Sequence, residues 1–86
     1  MYRIELSRPA RKVYLKLPET VRKDIHEKLI RLAESPYDYH HDVKKLKGLS
    51  HCYRLRVGDW RILYHIHNEA LIIEVITIGH RKEVYR

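Results

Sequence analysis

The sequence predicts an α+β fold, in which an N-terminal strand and a two-helix hairpin pack on a small, mainly antiparallel β-sheet. Three observations carry that expectation. Apolar residues recur at helical spacing in two successive runs within the first 34 residues, with a proline between the runs. A Gly-Asp pair then joins two alternating segments in YRLRVGDWRILY, residues 53–64. The run ALIIEVITIG, residues 70–79, follows as a last strand. Helices first and antiparallel strands afterwards is the order of an α+β chain.

Taken in order, Tyr2 to Leu6 alternates weakly and reads as the first strand. Ser7 is placed to cap a helix, and Pro9 is tolerated in a first helical turn. Ala10, Val13, Tyr14 and Leu17 fall at i, i+3, i+4 and i+7, the stripe of an amphipathic helix. Pro18 interrupts it. A second helix is expected from about Glu19 to Glu34, with Val21, Ile25, Leu29, Leu32 and Ala33 as its apolar stripe and Ser35-Pro36 at its end. The short connection makes the pair an αα-hairpin. Residues 36–51 are polar and irregular, with a short extended piece around Lys45–Leu49. The last strand is apolar on nearly both faces, as a central strand covered on both sides should be. The tail HRKEVYR, residues 80–86, shows no helix or strand pattern.

The hairpin of residues 53–64 raises a question when its faces are separated. Gly58 stands at the first central position of a two-residue turn, as a type II′ turn wants. That turn sets Val57 opposite Trp60, Leu55 opposite Ile62 and Tyr53 opposite Tyr64, all on one apolar face. The other face carries Arg54 and Arg56, with Arg56 directly across from Arg61. Like charges so placed destabilise a sheet. A phosphate held between the two arginines would relieve that repulsion.

At 86 residues the chain is expected to form one domain, 1–86, with a single core. One cysteine excludes an internal disulfide framework and suits a reducing compartment. The start, MYRIELSRPARK, lacks the apolar stretch of a signal peptide, and no run is long enough to span a bilayer. A cytoplasmic address without a membrane partner is the expectation. The net charge of +7 is concentrated: residues 44–61 hold six basic side chains against Asp59, and residues 79–86 hold three against Glu83. The rest of the chain balances. A concentrated positive field points to a polyanion, nucleic acid above all.

Seven histidines raise the question of a metal. His65 and His67 share a strand face at i, i+2, and His40-His41-Asp42 is a compact cluster, but neither belongs to a spaced ligand set of the zinc type. They read as solvated or hydrogen-bonded histidines, and neither a metal nor another cofactor is expected. Cys52 reads as a passive thiol. There is no Gly-rich phosphate loop, serine nucleophile motif or paired catalytic carboxylate. An enzyme built here must work with arginine, lysine, tyrosine and histidine.

Those groups suit metal-free RNA cleavage. Arginines hold a phosphate bidentately and stabilise its charge in the transition state. A base takes the 2′-hydroxyl proton and an acid protonates the leaving oxygen, with Tyr85 and His80 of the basic tail as candidates. Blander readings stand beside these. Arg54 and Arg56 are equally the solvated face of a strand, Tyr85 equally a ring packing the tail onto the sheet, and Trp60 belongs to the core face. Arg61, taken as an exposed sheet residue, should contribute little to the core. Lys44, Lys45, Lys47 and Lys82 are solvated side chains suited to phosphate contacts.

The order of motifs resembles a known family. An N-terminal strand, a helical hairpin with Leu17-Pro18 at its bend, then KLKG (45–48), YRLRVGDWRILY and IGHRKEVYR (78–86) resemble the RelE/ParE toxin superfamily of toxin–antitoxin pairs. The resemblance spans essentially the whole chain, and its central and C-terminal motifs are specific only in combination. It implies a compact α+β fold and a cognate antitoxin as partner. RelE-like members cleave mRNA on translating ribosomes, whereas ParE-like members poison DNA gyrase and lack the catalytic set. Carried over residue by residue, the RelE pattern falls on Arg54 and Arg56 before the turn, Arg61 after it, Arg81 after the last strand, and Tyr85 in the tail.

Two departures bear on mechanism. Arginines stand where some relatives have lysines, and Cys52 falls at a usually basic position. Arginine cannot serve as a base, so the proton transfers shift to His80 or Tyr85. The resemblance thus implies a ribosome-dependent, metal-independent endoribonuclease in which Arg61 and Arg81 clamp the scissile phosphate and Arg54 and Arg56 support position and charge. Two alternatives are a ParE-like gyrase poison, which would capture gyrase, and a non-catalytic RNA-binding module, in which the tail tyrosine would be dispensable.

Overall fold

A computed structural model describes residues 1–38 and 42–84. Its elements are β1 (Arg3–Leu6), α1 (Arg8–Lys16), α2 (Glu19–Glu34), β2 (Val43–Lys45), β3 (Cys52–Val57), β4 (Trp60–His67), β5 (Ile72–His80) and α3 (Arg81–Val84). The five strands form one sheet in the order β1-β5-β4-β3-β2. Every pairing is antiparallel except that of β1 with β5. The first strand thus enters at one edge, beside the last. The α+β expectation holds, with two helices on a mixed but mainly antiparallel sheet.

Local chemistry explains the helix ends. Ser7 is the N-cap of α1, its hydroxyl oxygen accepting from the Ala10 N–H at 3.1 Å while its O–H donates to the Ile76 carbonyl at 2.6 Å. One side chain therefore starts the helix and ties it to β5. Leu17 ends α1 in extended backbone, and Pro18 opens α2 directly. Of the expected stripes, Ala10, the C-cap Leu17, Ile25, Leu29, Leu32 and Ala33 are buried, while Val13, Tyr14 and Val21 are half-buried against the core. All of these but Ala33 join Tyr53, Leu55, Val57, Ile62, Tyr64, Ile66, Ile73, Val75 and Ile78, the inward face of the sheet, in one core.

Three expectations are corrected. The short extended piece is β2 at Val43–Lys45, not around Lys45–Leu49, because Val43, Lys44 and Lys45 pair with Leu55, Arg54 and Tyr53. Residues 46–51 instead turn back, with Gly48 and His51 at positive φ and the Leu46 N–H bonded to the Cys52 carbonyl at 2.9 Å. Second, β5 is covered on one side only. Both helices lie on the same face, and the register slips at Ile76 between the Leu63–Thr77 and Tyr64–Val75 pairs, leaving Ile76 38% exposed. The apolar look of ALIIEVITIG came from the side chain at that bulge and from Ile72 at the strand's start. Third, the tail begins with a helical turn, α3. Tyr85, His40 and His41 lie outside the described residues. No described helix is long and apolar enough to cross a membrane.

Candidate active site

The β3–β4 turn is the frame on which the basic residues meet. Gly58 takes φ +59°, the left-handed backbone that a two-residue II′-type turn needs and that a Cβ disfavours. Val57 then pairs with Trp60, and Arg56 with Arg61, in the register the sequence implies. Antiparallel to β4, β5 sets His80 beside Trp60 and Gly79 beside Arg61. The end of β5, the start of α3 and the hairpin tip are thereby brought to one end of the sheet.

Arg61 is not an exposed sheet residue. It is 7% exposed, the only buried charged residue among those described. Its Nη1 donates to the Gly58 carbonyl at 2.8 Å and the Trp60 carbonyl at 3.0 Å, so its guanidinium folds back over the turn that precedes it. Arg61 is the second residue of β4, the middle strand of the sheet, and stands beside Gly79 of β5. The expectation that Arg61 is an exposed sheet residue is therefore corrected: it is buried and donates to two turn carbonyls.

Arg56 has a different solution to the same like-charge problem. Its Nε and Nη2 reach Asp42 Oδ1 at 3.1 and 2.8 Å, while Lys28 Nζ of α2 reaches Asp42 Oδ2 at 2.9 Å. The Arg56 N–H also donates to the Asp42 carbonyl at 2.8 Å. The Asp42 side chain, 13% exposed, thus joins a helix cation to a sheet cation. The Arg56–Arg61 opposition is offset within the protein, by a carboxylate on one side and by backbone dipoles on the other. Asp42 and Lys28 are the residues that sequence reasoning missed. No local pattern could mark them, since each lies 14 residues from its partner.

The third component is the junction of β5 and α3. The Arg81 N–H donates to the Asp59 carbonyl at 2.7 Å, and Arg81 Nε lies 3.7 Å from Asp59 Oδ1. Both side chains are more than half exposed, so this ion pair is loose and easily exchanged for another anion. The His80 ring stands edge-on to Trp60, centroids 5.4 Å apart at 84°. Its Nδ1 accepts from the Lys82 N–H at 3.3 Å, so the neutral ring carries its proton on Nε2. Trp60 is only half-buried, packing on the core with one side and on His80 with the other.

Among the sequence-predicted residues, Arg61, His80 and Arg81 share the hairpin-tip end of the sheet, His80 on the face of Trp60 and Arg61 on the open face with Arg56 beside it. Arg54, half-buried, lies two residues further along β3 on the same open face, paired in register with Lys44 of β2. Lys45 alternates to the other side of the strand, and Lys47 lies in the turn that follows. Lys82 is exposed on α3. Tyr85 lies outside the described residues.

Comparison with known proteins gives the family. Residues 4–85 match the family model of the ParE toxin of type II toxin–antitoxin systems, parDE. The mRNA interferase toxin RelE of Escherichia coli K12 is 34% identical over 88 residues, covering 98% of this chain and 90% of that protein. The chain belongs to the RelE/ParE toxin family. Solved structures agree on the fold of this RelE/ParE member. The intact E. coli RelBE toxin–antitoxin complex contains a chain of TM-score 0.82 and 29% identity, covering 93% of this chain and 96% of that one. An archaeal RelE–RelB complex from Pyrococcus horikoshii gives 0.81 at 26% identity, with 93% and 94% covered. In this RelE/ParE chain this end of the sheet offers a guanidinium fixed on backbone carbonyls, a second that is loosely held and exposed, and an imidazole packed edge-on against Trp60. That set can bind a phosphate and move a proton without a metal.

Proposed function

We propose that this protein is the toxin of a toxin–antitoxin pair and a metal-independent endoribonuclease that cleaves mRNA on the ribosome. The observation that carries the reading is that one end of the sheet gathers Arg61 on its open face, His80 beside Trp60, and Arg81 tied to the turn through Asp59. In the cleavage, the 2′-oxygen bonds to the adjacent phosphorus and the P–O5′ bond breaks. The 2′-hydroxyl proton passes to a base, and the leaving 5′-oxygen takes one from an acid. Arg61, preorganised by two carbonyls, and Arg81, free to exchange Asp59 for a phosphate, clamp the phosphoryl group and stabilise its growing charge.

Arg54 and Arg56 position the strand and add positive potential. His80 and Tyr85 carry the proton transfers. Lys44, Lys45, Lys47 and Lys82 contact RNA backbone, where they add affinity without sequence information. His80 is the one imidazole at this end among the described residues, and so sparse an acid–base inventory supports help from the ribosome in positioning the message. The relative's printed name, an mRNA interferase toxin, supports the reaction class. Complexes of similar toxins with RelB support a cognate antitoxin as partner. The proposed reaction and its substrate support a cytoplasmic address.

Primer extension on mRNA from a reconstituted translation reaction tests the reading, beside a lane with the same mRNA and no ribosomes. New 5′ ends confined to the translating lane are the expected result. Cuts in both lanes would make it a free ribonuclease. No cuts in either, with covalent gyrase–DNA complexes on expression, would replace the reading with a gyrase poison.

A further inference from the structure

At the far end of β4 from the hairpin tip, three potential ligands meet on the open face of the sheet. His65 and His67 alternate onto that face, and Glu74 of β5 pairs in register with His65. One ligand atom from each of the three lies within 4.8 Å of the others. His67 Nε2 is 3.0 Å from Glu74 Oε1, and the two imidazole centroids are 4.1 Å apart, tilted by 41°. All three residues are half-buried: accessible to an ion, yet with side chains held between neighbouring strands.

We propose that His65, His67 and Glu74 form a binding site for one divalent transition-metal ion of the zinc class, clipping β4 to β5. Two imidazoles and a carboxylate are the donor set such an ion takes, whereas calcium and magnesium prefer oxygen alone. Tetrahedral zinc with ligands at about 2.0–2.1 Å sets donor atoms about 3.3 Å apart. The His67–Glu74 separation of 3.0 Å is close to that edge, and the other donor atoms lie within 4.8 Å. The His65 ring, 4.1 Å from that of His67 between centroids, brings a second imidazole nitrogen within reach of the same ion. Three protein ligands from two strands leave a fourth position for water. Glu5 adjoins Glu74 on β1 and is engaged by Arg3 at 2.8 Å, so the acidic side of the site is buffered rather than unopposed. His65 stands four residues from Arg61 along β4, roughly 13 Å at strand rise, so this ion takes no part in the chemistry of the hairpin tip.

The sequence alone stopped at two histidines on a strand because the third ligand comes from another strand, seven residues beyond His67. The test uses the full-length, tag-free chain, stripped with chelator and titrated with zinc chloride by isothermal calorimetry. One equivalent should bind. His67→Ala and Glu74→Gln should each weaken binding at least tenfold, while His26→Ala, an exposed histidine on α2, should leave it unchanged. The melting temperature of the wild type should rise with zinc, and that of the two site variants should not, because only the native state assembles the ligands. Circular dichroism without zinc checks that each variant is folded. Absence of saturable binding, or equal binding by all four proteins, would overturn the site.

Discussion

On the covered face of the sheet, Leu55, Ile62, Tyr64, Ile66, Ile73 and Val75 are each 1% exposed or less, and each is apolar or aromatic. On the open face the same strands present Arg54, Arg56, Arg61, His65, His67 and Glu74. The covered face is held by non-directional burial, which tolerates any well-packed apolar set. The open face is held by directed bonds: Arg56 to Asp42, Arg61 to two turn carbonyls, His67 to Glu74. One face makes the fold and the other makes the chemistry, and only the second depends on particular long-range partners.

Substitutions on the two faces should separate these roles. The largest effect on stability is expected on the covered face. Ile62→Ala, at 0% exposure, should cost about 2–5 kcal/mol, read as a shift of the urea midpoint. Arg61→Ala should come next, at about 1–3 kcal/mol, because it strips the Gly58 and Trp60 carbonyls of a donor and the sheet of a buried stem. It should abolish cleavage as well, so it crosses the division between faces. A stability loss below about 0.5 kcal/mol for Arg61→Ala would mean that the turn does not lean on it. Asp42→Ala should cost about 1–2 kcal/mol by leaving Lys28 and Arg56 without their shared carboxylate, both partly solvated. It should also restore the like-charge repulsion between Arg56 and Arg61, so its loss should shrink as salt is raised.

How legible each face was follows from the same difference. Helical spacing gave the stripes of α1 and α2, and the Gly58-Asp59 turn gave the register of β3 on β4, because both are local patterns. The position of β2 was off by two to four residues, since a three-residue strand is defined by its partner and not by its own sequence. The one-sidedness of β5 was hidden by the bulge at Ile76, which the Ser7 hydroxyl helps to hold through that residue's carbonyl. Burial of Arg61 goes with its guanidinium folding back onto the Gly58 and Trp60 carbonyls, which no alternation pattern reveals. The partners Asp42 and Glu74 were likewise out of reach of local pattern. The resemblance named the arginines, but tertiary pairing tells apart the one that is built in, Arg61, from the one that is poised, Arg81.

That distinction gives the most direct measurement. Arg81 is more than half exposed and bound to the turn only by its backbone N–H and a loose ion pair, so Arg81→Ala should change stability by less than about 0.5 kcal/mol. The measurement is the rate of mRNA cleavage on translating ribosomes by wild type and Arg81→Ala, with urea melts of both. A fall of at least about a hundredfold, the scale of losing one donor to a transition-state oxyanion, with superimposable melts, is the predicted result. Cleavage at the wild-type rate by a fully folded Arg81→Ala would contradict the assignment of the hairpin tip as the catalytic centre.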